Sequence, residues 1–104
     1  MSRPARLADD VVQQWTSAHR HWHSEDSHLV REVRTTDYPS AARIVQAQVA
    51  LAERLDHHPD LTLGYRQLRV EVWTHDRAGV TQLDLDYAEG FDAIIADEFA
   101  AFVL

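Results

Sequence analysis

A chain of 104 residues with no cysteine and a formal net charge of −7 has room for one modest hydrophobic core and excludes disulfide and thiolate chemistry. Its ten cationic side chains are all arginines, scattered rather than clustered, so a phosphate backbone meets net repulsion and direct nucleic-acid binding is disfavoured. Apolar residues make up 45% and charged residues 26%, an ordinary balance for a globular chain. The expectation is one domain over residues 1–104. No apolar run approaches the ~20 residues of a membrane span. Arg3 and Arg6 are followed by Asp9 and Asp10 where a secretory leader would be apolar, so the cytoplasm is the expected location.

Leu7, Val11, Val12 and Trp15 fall at helical spacing and predict a helix over residues 7–18. Ser24-Glu25-Asp26-Ser27 reads as a turn between a strand over residues 28–35 and a hairpin partner near residues 20–23. Asp37-Tyr38-Pro39 starts a helix, with Asp37 as cap and Pro39 in the first turn, where its missing N–H costs little. Ala41, Ile44, Val45, Val49, Ala52 and Leu55 carry its apolar stripe to about residue 55. Gln48 lies within that stripe and needs hydrogen-bond partners if it is buried. Pro59 disfavours helix at His58, so the helix ends near Asp56.

Residues 61–65 and 68–74 read as strands joined tightly at Arg66-Gln67. Leu68, Val70 and Val72 lie on one face of the second, and Arg69, Glu71 and Trp73 on the other. Ala78-Gly79 breaks the chain. Thr81 and Asp84 then form a capping-box-like start for a helix that buries Leu83, Tyr87, Phe91, Ile94, Ile95, Phe99 and Phe102. Gly90 inside that helix costs roughly 1 kcal/mol relative to alanine, which points to a close contact there. The order α-β-β-α-β-β-α predicts an α+β, two-layer domain with a four-stranded antiparallel sheet and helices on one face.

The chemistry concentrates in Glu53-Arg54-Leu55-Asp56-His57-His58-Pro59-Asp60 and Thr74-His75-Asp76. His57 and His58 leave the end of a helix and His75 the end of a strand, positions from which functional side chains are commonly presented. Imidazole, with an unperturbed pKa of about 6.5, both takes and gives protons near neutral pH. Three such groups around one pocket suit an elimination or dehydration, in which one group removes a proton and another protonates the departing hydroxyl. The same three could in principle hold zinc, but adjacent residues such as His57 and His58 do not readily face one ion. His19, His21, His23 and His28 read as structural or solvated. Asp84 reads as a helix-start residue, and Trp22 as core or a pocket wall.

Over residues 53–84 the chain resembles the pterin-4a-carbinolamine dehydratases, without insertion. The resemblance rests on Glu53-x-Leu55-Asp56-His57-His58-Pro59-Asp60, Tyr65, Val70-x-Val72-x-Thr74-His75-Asp76, Ala78-Gly79-Val80-Thr81 and Asp84. Trp22 and the Asp37 helix start extend it more weakly toward the N-terminus. It implies dehydration of a 4a-hydroxytetrahydropterin to a quinonoid dihydropterin with no metal or organic cofactor. His57 and His75 would share the acid and base work, with His58 polarising the substrate. Pro59, Thr74 and Asp76 would line the pocket, Glu53 and Asp56 would orient imidazoles or hold the pterin, and Trp22 is a further binding candidate. It also implies dimers or tetramers.

Leu61 and Thr62 stand where relatives often carry bulkier residues, Gly64 where a larger one is common, and Trp73 is unusual beside the Thr-His pair. These departures keep a different pterin-like substrate open. A non-catalytic dimerisation or regulatory module on the same fold also remains open.

Overall fold

The computed structural model describes residues 3–104. Helix α1 (Asp9–Ala18) leads into strands β1 (His23–Glu25) and β2 (His28–Arg34). Helices α2 (Tyr38–Ala47) and α3 (Val49–Leu55) follow, then β3 (Asp60–Leu63), β4 (Gln67–Val72) and helix α4 (Gln82–Ile94). The strands form one antiparallel sheet in the order β1-β2-β4-β3. This is the expected α+β two-layer arrangement. Leu29 and Val33 of β2 and Leu68, Val70 and Val72 of β4 pack against Val12, Ile44, Leu51, Tyr87 and Phe91 of the helices.

Three of the departures from the sequence expectation have a clear local reason. The first hairpin closes through Asp26 and Ser27, both at positive φ (51° and 62°). That geometry suits a tight two-residue loop, and it moves the partner strand from residues 20–23 to His23–Glu25. The β3–β4 connection is Gly64–Arg66 rather than Arg66-Gln67, closed by the Gly64 N–H donating to the Gln67 carbonyl at 2.7 Å. After Ile94 the chain widens into a π-helical turn, Ile95–Phe99, and then a 3-10 turn, Ala100–Phe102. Phe102, expected in the core, is instead 40% exposed. The backbone there turns aside to bond Thr36 and to pair Val103 with Thr35.

The long central helix bends at Gln48, the joint between α2 and α3. The backbone ladder continues through it, with the Gln48 N–H donating to the Ile44 carbonyl and the Ala52 N–H to the Gln48 carbonyl. The Gln48 side chain is buried and its amide is satisfied. Nε2 donates to the Val45 carbonyl at 3.2 Å, and Oε1 accepts from the Tyr87 hydroxyl at 2.7 Å. Burial pushes the Tyr87 phenol pKa up, which keeps that hydroxyl a donor. Gly90 of α4 lies where α3 crosses. A Cβ there would sit 2.7 Å from Leu51 Cδ1, so glycine permits the close approach expected from the sequence.

One charged cluster lies on the helix-facing side of the sheet. Arg31 of β2 is 4% exposed, forms an ion pair with Asp92 of α4 and stands 5.7 Å over the Phe91 ring. Trp22 Nε1 donates to the same Asp92 carboxylate at 2.8 Å.

Candidate active site

The end of α3 places the first two histidines. Asp56 adopts a left-handed conformation (φ 47°, ψ 47°), and the His57 N–H donates back to the Ala52 carbonyl at 3.0 Å. The chain reverses, Pro59 prevents further helix, and the adjacent imidazoles part. His57 is buried, whereas His58 is exposed.

His57 Nε2 lies 2.5 Å from Asp84 Oδ1. An ionised carboxylate only accepts, so in this pair Nε2 carries the proton. Asp84 is fully buried, and its second oxygen is also engaged. Oδ2 accepts from the Thr74 hydroxyl at 2.9 Å and from the Thr81 N–H at 2.8 Å. The Thr74 and Thr81 hydroxyls are 2.8 Å apart, and Thr81 Oγ1 accepts from the Leu83 N–H. The capping box that starts α4 is thus also the mount for His57. Asp84 holds the helix-start position expected from the sequence and in addition bonds the imidazole. Sequence spacing carries no signal of that contact.

His75 opens a 3-10 turn, His75–Arg77, that follows β4. The turn closes because Ala78 takes a left-handed conformation and Thr74 pairs with Gly79. The His75 ring is stacked on the Trp73 indole, centroid to centroid 4.3 Å at 12°.

Asp56, His57, His58, Thr74, His75 and Asp76 all line one cleft of about 220 Å³. Arg3 and Trp73, which the sequence reading did not place there, complete its wall. Arg3 is tied across the cleft, donating from Nη1 to the Asp56 carbonyl at 2.9 Å, while Arg77 holds the Arg3 and Pro4 carbonyls.

The other expected site residues sit differently. Glu53 is outside the cleft lining and bonds the exposed His58, whose Nε2 lies 2.6 Å from Glu53 Oε2. Pro59 shapes the turn and is not a wall residue. Trp22 is a correction: at 2% exposure it is packed edge-on against Phe91 and bonded to Asp92, inside the core and outside the cleft lining. Among the remaining histidines, His19 stacks on Trp15 and bonds its carbonyl, and His23 pairs with Glu25.

Residues 5–94 match the family model for pterin 4 alpha carbinolamine dehydratase. The chain belongs to that family. Two relatives carry the name "Putative pterin-4-alpha-carbinolamine dehydratase". The protein from Metallosphaera sedula is 37% identical over 86% of this chain and 93% of its own length. The one from Natronomonas pharaonis is 37% identical over 86% and 95%. The crystal structure of a transcriptional coactivator/pterin dehydratase from Brucella melitensis superposes with a TM-score of 0.80 at 30% identity, covering 86% of this chain and 97% of that one. A pterin dehydratase-like protein identified as a RuBisCO assembly factor in the alpha-carboxysome shares the fold, with a TM-score of 0.57 at 16% identity. Membership of the pterin dehydratase family makes the chain a hydro-lyase by class. Among the described residues, no helix is long and apolar enough to cross a membrane.

Proposed function

We propose that this protein dehydrates a 4a-hydroxytetrahydropterin to a quinonoid dihydropterin by histidine acid/base catalysis, as a one-domain cytoplasmic enzyme. The observation that carries the reading is the His57–Asp84 pair opening onto a cleft shared with His58 and His75.

In a carbinolamine, the hydroxyl and an amine nitrogen sit on one carbon. Loss of water moves the nitrogen electron pair into a C=N bond, breaks the C–O bond and releases the N–H proton. A base must take that proton, and an acid must give one to the departing oxygen. His57 is equipped as proton acceptor, because Asp84 fixes its tautomer and opposes the positive charge that protonation creates. His75, at the solvent edge of the same cleft, supplies the second proton-transfer group. His58, oriented by Glu53, polarises the bound heterocycle.

Self-association into dimers or tetramers belongs to the same reading, and it is supported by the two sheet edges, β1 and β3. A second, regulatory reading is favoured by the coactivator wording in the name of the Brucella melitensis structure.

Stopped-flow loss of 4a-hydroxytetrahydropterin tests the main reading. The wild-type protein is expected to accelerate it well above the buffer rate, and to prefer the pterin over related bicyclic hydroxy compounds. Decay at the buffer rate would refute the proposal.

A further inference from the structure

We propose that Trp73 is a positioning residue, which holds the His75 ring in its working orientation through a three-ring stack continuing to His28. The inference rests on the acid/base reading above.

Trp73 follows β4 on the face of the sheet away from the helices, since Leu68, Val70 and Val72 point to the core. Leu29 of β2 pairs with Val72, so His28 and Trp73 are the next facing positions, and their rings stack at 3.8 Å and 7°. The opposite face of the indole carries His75 at 4.3 Å and 12°. The far end of the column is anchored, with His28 Nδ1 2.5 Å from Glu71 Oε2.

The other two cleft histidines are each set by a carboxylate, His57 by Asp84 and His58 by Glu53. Among the described residues, no carboxylate or carbonyl is bonded to the His75 ring. Its imidazole is exposed on a short 3-10 turn, where several rotamers would otherwise be open to it. The indole face supplies the restraint that hydrogen bonding supplies for the others. Both faces of Trp73 are occupied by imidazoles, so it is not a platform on which a flat substrate stacks.

The test combines a structural and a kinetic readout. In the ¹H–¹³C NMR spectrum, the His75 ring protons are expected upfield of those of an unstacked histidine, to move back in Trp73→Leu, and to stay shifted in Trp73→Phe. Misplacing a catalytic group by an ångström costs up to about 10²-fold in rate. Trp73→Leu is therefore expected to lower kcat at least about tenfold with KM little changed, with Trp73→Phe restoring most of it and no further loss in a His75→Ala background. Unmoved His75 signals in Trp73→Leu would overturn the proposal, as would a kcat that Phe fails to rescue. A wild type that turns over no pterin would refute the dehydratase reading instead, and the ring shifts would still decide whether the stack holds His75.

Discussion

Replacing His57 with alanine is expected to slow the dehydration by about 10²- to 10⁴-fold, the usual contribution of a positioned acid or base. Asp84 keeps its bonds from Thr74 and Thr81 in that variant, so α4 stays capped, while the loss of the His57 bond to the buried Oδ1 costs at least about 1–3 kcal/mol of stability. Asp84→Asn acts on the same step from the other side. An amide offers a donor as well as an acceptor, so it no longer fixes the proton on Nε2. The rate falls in this variant too. The two residues act as a unit, so the double variant should be little worse than His57→Ala alone. Equal rates for wild type and His57→Ala, both folded at the assay temperature, would remove His57 from the mechanism.

The largest effect on stability is expected at a distance from the cleft, in Asp92→Ala. That substitution leaves the buried Arg31 guanidinium without its carboxylate and strands the Trp22 indole N–H. Breaking a buried pair in this way costs about 3–5 kcal/mol. For a chain of this size, that lowers the melting temperature by at least about 12 °C. The cost comes from the orphaned charge rather than from the pair as such. An Arg31→Met/Asp92→Leu double variant should therefore recover most of the loss. Thermal unfolding of the three proteins checks this. A single variant that melts with wild type would mean that water solvates Arg31 and that the cluster is not buried in solution.

Arg31 and Asp92 also mark where sequence reasoning reached its limit. The alternation of β4, the Asp37 and Thr81 caps and the Pro59 stop are local signals, and each set an element at or within a few residues of its observed place. Apart from Gln48, whose place in an apolar stripe gave it away, the polar residues that pair across the core were not legible in that way. Arg31 sits in an ordinary strand pattern, and nothing near it reveals a partner 61 positions later in α4.

The site divides along the same line. His57, His58 and His75 stand in a recognisable motif and share a cleft. What holds His57 is non-local, a helix cap across the core, whereas His58 and His75 are held by near neighbours in the chain, Glu53 and Trp73. Trp22, for which the sequence leaves core and pocket wall open, takes the core position. Arg3 escaped notice because an arginine near the start of a chain carries no spacing signal of its own.

The central claim is that one flat heterocycle is held among three imidazoles. Titration with a dihydropterin, followed through the assigned ring signals of His57, His58 and His75, tests it most directly. The account predicts that all three histidines shift together and saturate with one affinity, while His19 and His23 stay fixed. Saturable binding that leaves the three rings unmoved would contradict it.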